Sequence, residues 1–417
     1  MTVFLPMRPW MAERATRAVM DALAVIGGEG AARFVGGCVR DTLLRRDAAD
    51  LDLDIATRLT PDQVTRGLVA QGLRVEPTGL DHGTVTAIAF GRPFEITTLR
   101  KDVETDGRRA VVAFTTDWSE DAARRDFTMN ALYADPDGRV HDPTGRGLDD
   151  AMAGRVIFVG DPDTRIKEDY LRVLRYFRFL ARFAEDTPDP GALAACARHA
   201  DQLVRLSAER IAKELLKLLA ARDPRSAVEL MSQIGVLIHI APGFSRGQRF
   251  RGLIDVELAL GRAPDAELRL AALGPSETSG ALALAKRLKL SNALRDRLVA
   301  ACSGQFTFTV DMSGQALRRA IWVLGASACR DQLLLSWAED FTPAAVSEWG
   351  RQLELVDTWR PPAIPISGDD ILSMGVEEGP RVGRVRKAFE DWWLDQDFPE
   401  DRLAALDRLK RLSTAIT

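Results

Sequence analysis

The stretch Phe34–Thr57, FVGGCVRDTLLRRDAADLDLDIAT, limits what this chain can fold into more than any other. An apolar pair, Phe34-Val35, runs into Gly36-Gly37. Arg40 follows, and the carboxylates Asp52 and Asp54 close the stretch. Glycines lack a Cβ, so phosphate oxygens can approach the backbone N–H groups of such a turn. A short helix after the glycines carries Arg40 near its start, where an anion meets both a guanidinium and the positive helix end. Leu51 to Ala56 alternates apolar and acidic residues. Strand side chains alternate faces, so Asp52 and Asp54 point one way while Leu51, Leu53 and Ile55 face a core. Two carboxylates on one strand face repel each other unless a cation lies between them, and hard oxygen donors suit Mg²⁺. A Gly-Gly turn alone is usually only a turn, and Asp-x-Asp alone is usually a solvated strand face. Their combination with an arginine, within about 25 residues, points to metal-assisted nucleotidyl transfer. No Gly-Lys-Ser/Thr follows, so this is not a Walker loop, and the G-x-G-x-x-G spacing of a dinucleotide fold is absent.

At 417 residues the chain is too long for one core. A hydrophobic share of 46% and a charged share of 28% describe a soluble globular protein. The formal net charge of −4 argues against a uniformly basic nucleic-acid binder, yet 56 Lys and Arg residues leave room for a local basic face. Cys38, Cys196, Cys302 and Cys329 are far apart with no C-x-x-C pair, which suggests neither a disulfide framework nor a zinc site and fits a reducing cytoplasm. His82, His141, His199 and His239 are scattered, which leaves no clustered His-Asp metal site for an added phosphohydrolase activity. The N-terminus lacks the apolar run of a signal peptide, and no stretch is long enough to span a membrane. The expectation is a cytoplasmic protein with no membrane association and no evident protein partner.

In chain order, residues 9–27 read as one amphipathic helix ended by Gly27-Gly28. Thr60-Pro61-Asp62 starts a helix running to about Ala70, and Leu73 to Glu76 is a short strand. Thr84–Phe90 and Phe94–Arg100 alternate about Gly91-Arg92-Pro93 and form an antiparallel hairpin. Glu95, on its second strand, reads either as a third carboxylate beside the Asp pair or as a strand-face residue. Residues 101–121 are polar, charged and loop-like. ARRDFTMNALY, Ala123 to Tyr133, is expected as a helix capped by Asp121 or Ser119. Arg124, Arg125, Asp126 and Asn130 can grip a triphosphate and a ribose, guanidinium to phosphate and carboxylate or amide to hydroxyl; the plainer reading is a salt-bridged helix start. In IKEDYLRVLRYFRF, Ile166 to Phe179, the apolar stripe Leu171, Leu174, Phe177 and Phe179 is broken by charges. Asp169 and Arg172 are helical neighbours three residues apart, and their acceptors and donors can read the Watson–Crick edge of an incoming base. Steps of three lag by about 60° each, so Asp169 and Arg178 lie about half a turn of azimuth apart and cannot both touch that base. Arg175 and Arg178 then reach nucleotide phosphates or RNA, or brace the helices. Ser207 caps a helix through Leu219. Beyond residue 225 the pattern is helix after helix, with Pro361, Pro362 and Pro365 forming a linker.

These residues carry a resemblance. GGCVRD…DLDIAT is similar to the signature of the class II tRNA nucleotidyltransferase and bacterial poly(A) polymerase family, within the polymerase-β superfamily. RRDFTMNAL resembles the family's second motif, implicated in ribose selection. EDYLR resembles its EDxxR motif, implicated in reading C and A, and SAERI resembles a further motif. The resemblance covers roughly the first 220 residues strongly and the remainder by helical character. It implies an α+β fold: an N-terminal helix (1–28), a polymerase-β-like head with a mixed or antiparallel sheet (29–153), and an all-helical neck (154–224), body (225–360) and tail (361–417). A flexible loop at 101–121 and a turn at His82-Gly83 belong to the implied head. The implied activity is addition of C, C and A to the 3′ end of tRNA from CTP and ATP without a template. The alternatives are a poly(A) polymerase, an enzyme adding only CC or only A, or, from another class, a non-catalytic RNA-binding scaffold. Asp52, Asp54 and Glu95 are the implied catalytic carboxylates, with Mg²⁺ on Asp52 and Asp54. Gly36, Gly37, Arg40, Arg125, Asp126, Asn130, Asp169, Arg172, Arg175 and Arg178 form the implied nucleotide site. Body and tail helices would clamp the tRNA acceptor stem and TΨC arm, with Arg246, Arg249, Arg251, Arg402, Arg408, Lys410 and Arg411 as candidate phosphate contacts.

Overall fold

The computed structural model describes residues 2–46, 52–79, 83–105, 110–185, 187–241, 243–244 and 247–415. Leu51, His82, Arg246 and residues 106–109 of the expected loop lie outside them. The chain forms two compact units, Met1–Pro242 and Gly243–Thr417, so residues 225–242 group with the sheet-bearing unit rather than with the helices after them.

In the first unit, the helix expected over residues 9–27 is two helices, α1 (Pro9–Ala12) and α2 (Arg14–Gly27), broken at Glu13, whose ψ of 140° is extended. The break lets Trp10 meet Phe34 edge-on at 4.8 Å while Val19 and Leu23 are buried. Nine short strands follow among the described residues: β1 (Ala32–Val35), β2 (Asp54–Thr57), β3 (Arg74–Gly79), β4 (Thr84–Ala89), β5 (Arg92–Thr98), β6 (Arg100–Thr105), β7 (Ala110–Phe114), β8 (Tyr133–Ala134) and β9 (Val140–His141). Seven of them form a sheet in the order β3-β4-β5-β2-β1-β8-β9, and β6 and β7 make a separate antiparallel ribbon. The 101–121 segment is therefore built on a hairpin where a loop was expected. The β4–β5 turn is Phe90-Gly91, one residue tighter than the sequence suggested. Both turn residues have positive φ, as the right-handed twist of a two-residue hairpin demands. Most pairings are antiparallel, but β2 runs parallel to β5, with Asp54 opposite Glu95.

Helix α3 (Gly37–Leu43) follows β1 directly, and α4 (Pro61–Ala70) starts from a Thr60–Gln63 capping box. Next come α5 (Trp118–Ala123) and α6 (Gly147–Met152). The helix expected through RRDFTMNAL does not form. Helix α5 ends at Ala123, Phe127 is extended, and Thr128–Asn130 is a 3₁₀ turn leading into β8. Phe127, Met129 and Leu132 are each fully buried. Pairing β8 with β1 and Phe127 with Phe158 requires the chain to leave helical geometry here.

The helical part of this unit comprises α7 (Pro162–Glu168), α8 (Leu171–Phe183), α9 (Pro190–Arg198), α10 (Ala208–Leu219), α11 (Arg225–Gln233) and α12 (Val236–Ile240). Phe127 meets Phe158 and Phe179 at 4.9 Å each, and Tyr176 stacks on Phe158 at 5.4 Å, which ties α8 to the sheet domain. A polar seam runs beside these rings. The Arg175 guanidinium donates from Nε and Nη2 to Asp126 at 2.8 and 2.5 Å, and Arg178 donates to Glu214 at 2.6 Å. Burial pushes the Asp126 pKa up, but Arg175, Asn130 and the Phe127 N–H outweigh it and hold it at about 2.

The second unit contains α13 (Gly247–Ala259), α14 (Ala266–Leu273), α15 (Thr278–Leu288), α16 (Asn292–Ala301), α17 (Gly314–Leu324), α18 (Ala326–Glu339), α19 (Val346–Thr358), α20 (Gly368–Ser373), α21 (Pro380–Asp395) and α22 (Arg402–Ala415), close to the expected series. Its last three helices share a core around Ile371, Phe389, Trp393 and Leu409. Arg249, a candidate phosphate contact, is instead buried, donating to the carbonyls of Ala271, Ala272 and Gly274. Helices α13 and α18 approach closely because Gly252 has no side chain: a Cβ there would lie 2.0 Å from the Ala338 carbonyl oxygen.

Two outcomes are expected. Gly252→Ala overpacks that crossing and costs about 1–3 kcal/mol in denaturant unfolding, read by the stacked Trp337–Trp349 pair; unchanged stability would sink the packing assignment. For Asp126, a native pKa below its unfolded value of 3.8 means stability present above pH 4 and lost as pH falls toward 2. Asp126→Asn is therefore less stable than the parent by roughly 2 kcal/mol at neutral pH, and the deficit shrinks on acidification from pH 4 toward 2. A deficit independent of pH over that window contradicts the assignment.

Candidate active site

Strand β1 ends at Gly36, whose φ of 72° is one that side-chain-bearing residues rarely adopt. This turn bends the chain from sheet to α3. A Cβ on Gly36 would meet Arg125 Nη1 at 3.7 Å, and one on Gly37 would meet Arg40 Nη2 at 3.8 Å. Both arginines therefore face the glycine turn, though differently. Arg40 is 5% exposed. Its Nε is spent on Asp41 at 2.9 Å and its Nη1 on Asn130, while its guanidinium lies over the rings of Phe179 and Phe183. It is a brace with one nitrogen left at the turn, where the sequence suggested a guanidinium given over to an anion. Arg125 is held by Asp121 at 2.9 Å and by the Tyr133 hydroxyl at 3.2 Å, and its Nη1 has no acceptor among the described residues.

The alternation read in the sequence is present: Leu53 and Ile55 are buried, and Asp52 and Asp54 are exposed. Parallel pairing then sets Glu95, also exposed, directly across from Asp54. Asp54 is open to solvent on one side yet closely surrounded. Burial first, then the charges of Glu95 and Asp52, push its pKa up to about 6 against the opposing charge of Arg125. Asp54 thus feels the charges of Glu95, Asp52 and Arg125 together. Among the described residues no group of three or more Asp, Glu, His or Cys side chains stands closely enough to hold a metal ion. The three-carboxylate cage is not assembled, and Glu95 acts on Asp54 through its charge. The donors are all hard oxygens carrying surplus negative charge, which a divalent cation relieves, so Asp52 and Asp54 fit such an ion.

The ribose motif is more occupied than its sequence implied. Asp126 accepts from Asn130 Nδ2 at 2.9 Å, from the Phe127 N–H at 2.8 Å and from Arg175. Arg40 fixes the amide orientation of Asn130 by donating to its Oδ1. One N–H of Asn130 remains for a ligand.

The base-reading pair was expected on one continuous helix. Instead, α7 ends at Glu168 and Asp169 is extended, with φ −154°. Asp169 Oδ1 accepts from the Leu171 N–H at 3.1 Å and its Oδ2 from Arg210 at 2.7 Å. Arg172 donates to Glu168, to the Arg165 carbonyl at 2.8 Å and to the Arg124 carbonyl at 3.1 Å. The two side chains are therefore oriented by third parties rather than by helical adjacency. Arg175 and Arg178 are ion-paired to Asp126 and Glu214, which places them as braces within the first unit.

Sequence reading missed Asp121 and Tyr133 as site residues, and Glu168 as the partner of Arg172. Asp121 stands three and four residues before Arg124 and Arg125, the spacing of helical neighbours, so a signal was present. It was read as a possible helix cap, which in the structure is Asp117.

Residues 32–157 match the family described as the poly A polymerase head domain, and residues 187–247 match one described as a probable RNA and SrmB- binding site of polymerase A. The mouse (Mus musculus) mitochondrial CCA tRNA nucleotidyltransferase 1 is 33% identical over 91% of this chain and 86% of its own length. The CCA-adding enzyme of Levilactobacillus brevis is 32% identical over 88% of this chain and 90% of its own. The crystal structure of the Bacillus stearothermophilus CCA-adding enzyme in complex with CTP superposes with a TM-score of 0.77 at 26% identity, covering 98% of this chain and 100% of that one. The Thermotoga maritima CCA-adding enzyme, solved with tRNA, shares the fold with a TM-score of 0.66 at 19% identity, over 98% and 99% of the two chains. Nucleotidyltransferases of this kind generally use a divalent metal. With such identity over about nine-tenths of its length, the chain belongs to the family of CCA-adding tRNA nucleotidyltransferases.

Proposed function

We propose that this protein adds C, C and A in turn to the 3′ end of tRNA from CTP and ATP, without a nucleic-acid template, releasing pyrophosphate at each addition. The observation that carries the reading to particular residues is the meeting of Gly36, Arg125 and Asp54. A cationic nitrogen stands over a glycine turn and acts electrostatically on the carboxylate strand. Asp52 and Asp54 would hold Mg²⁺, which when bound acidifies the primer 3′-hydroxyl and neutralises the departing pyrophosphate. Gly36 and Gly37 admit the triphosphate close to the backbone. Arg125 takes its negative charge through the unspent Nη1, aided by the remaining nitrogen of Arg40. Asn130, locked by Arg40 and Asp126, offers its free N–H to a ribose hydroxyl. Asp169 and Arg172 present acceptor and donor edges to the incoming base, held in place by Arg210 and Glu168. Arg172 must loosen one of its present bonds to do so.

A cytoplasmic site of action belongs to the same proposal; four buried cysteines that form no disulfide with one another suit a reducing compartment, and the mammalian relative is mitochondrial by name. No helix of the described residues is long and apolar enough to cross a membrane.

A poly(A) polymerase is the second reading, favoured by the description of the matching head domain. Incubation with tRNA lacking its terminal CCA, offered each NTP singly and CTP with ATP, separates the two. Addition stopping after three nucleotides, with CTP consumed first, is expected. Long oligo(A) on unrelated RNA without use of CTP would overturn the proposal. Asp52→Asn and Asp54→Asn are each expected to slow incorporation by on the order of a thousandfold or more while the protein stays folded by circular dichroism. Turnover near that of the parent would refute the carboxylate assignment.

A further inference from the structure

We infer that Asp121 is the positioning residue for Arg125: it aims the guanidinium at the Gly36 turn and so sets how tightly the triphosphate is held. The inference rests on the function proposed above.

The Asp121 side chain is 2% exposed and lies inside α5, yet it belongs to no motif recognised in the sequence. Its carboxylate collects donors from three directions. Oδ2 accepts from Arg125 Nη2 at 2.9 Å and Nε at 3.3 Å, and from the Tyr133 hydroxyl at 2.7 Å. Oδ1 accepts from Arg124 Nη2 at 2.8 Å and Nε at 3.0 Å, and from the Arg100 N–H at 3.3 Å. A buried carboxylate needs such partners, because an unpaired charge out of water costs far more than an exposed one. The charge count then has a consequence. One carboxylate faces two guanidinium groups, so the cluster keeps one surplus positive charge. Arg124 turns its share inward, donating from Nε to the Arg100 carbonyl at 3.1 Å as well. Arg125 turns toward the glycine turn: its Nη1 lies 3.7 Å from where a Cβ of Gly36 would stand and has no acceptor among the described residues. The surplus is therefore delivered at one point, the place where a phosphate can enter.

Tyr133 completes the support. Its hydroxyl donates to Asp121 and accepts from Arg125 Nε, and its ring lies 5.2 Å below the guanidinium. Tyr133 is packed edge-on against Trp118 at 5.1 Å, so the support is rigid. Rigidity matters because a guanidinium–phosphate contact is weakened when the side chain must first be ordered. Asp121 also reaches two further parts of the site: its Arg100 and Arg124 partners lie at the root of the β6–β7 ribbon, and the Arg124 carbonyl holds Arg172.

The test is a double-mutant cycle on steady-state kinetics with CTP and ATP. Asp121→Asn keeps the shape and removes the charge. It is expected to raise KM for both nucleotides alike, about tenfold, with kcat changed by less than about threefold. In an Arg125→Ala background, where the aimed group is gone, Asp121→Asn should change KM by less than about twofold. A merely structural aspartate gives effects that multiply in the double variant, and that result, or a fall in kcat at unchanged KM, overturns the inference. If Asp121→Asn does not fold, Tyr133→Phe removes only the supporting hydroxyl. It should raise KM about two- to threefold in the parent and not in the Arg125→Ala background; equal effects in both backgrounds overturn the inference. The same cycle read by calorimetric CTP titration without tRNA needs no turnover. A parent protein that binds CTP but extends no tRNA would therefore count against the proposed function alone.

Discussion

Like charges crowd together where β2 lies parallel to β5. Asp54 and Glu95 are paired across the two strands, and Asp52 is two residues away. Such an arrangement is unfavourable by itself, and Asp54 shows it by holding its proton to about pH 6. Much of the surrounding construction can be understood as tolerance of that charge. The carboxylates stay at the solvent-facing side of the strand while Leu53 and Ile55 anchor it from beneath. Arg125 stands within electrostatic reach, the glycine turn leaves room for a polyanionic ligand, and the donor chemistry suits a divalent ion. A sheet that pays in stability for a strained electrostatic site is common where the site does chemistry.

Arginine does two kinds of work in the first unit, distinguished by burial and partners rather than by residue type. Arg175, Arg178 and most of Arg40 are satisfied by carboxylates, an amide and aromatic faces, and they join α8 to the sheet domain. Removing one partner from such a buried pair is costly, because the other charge is left uncompensated. Arg125 keeps a nitrogen unspent at the glycine turn. From the sequence, Arg40 and Arg125 read as phosphate ligands while Arg175 and Arg178 are open to phosphate, RNA or a bracing role; in the structure Arg175 and Arg178 are taken up by Asp126 and Glu214.

Two motifs illustrate how local reasoning about helices fails at a site. RRDFTMNAL has good helical spacing, yet β8 must pair with β1 and Phe127 must reach Phe158, so the backbone opens after α5. EDYLR also looks helical, but Asp169 withdraws from the helix, serves the start of α8 through its side chain, and binds Arg210 from α10. In both cases tertiary pairing overrides intrinsic propensity, and the departure from regular geometry falls on residues implicated in function.

Much was legible in the residues alone. The order strand, glycine turn, helix, acidic strand follows from side-chain alternation and from the missing Cβ atoms of Gly36-Gly37, both local properties. The helical character beyond residue 225 follows from apolar periodicity and caps, which act within a few residues. What tertiary structure decided is which charges meet. Arg40 finds Asn130 and Phe183, Arg175 finds Asp126, Asp169 finds Arg210 and Asp54 finds Glu95, across separations of 90, 49 and 41 positions for the three hydrogen-bonded pairs. A charged side chain's role depends on its partner and on how much water remains around it. No local pattern encodes either one; the closing of the sheet against α8 and α10 brings them about.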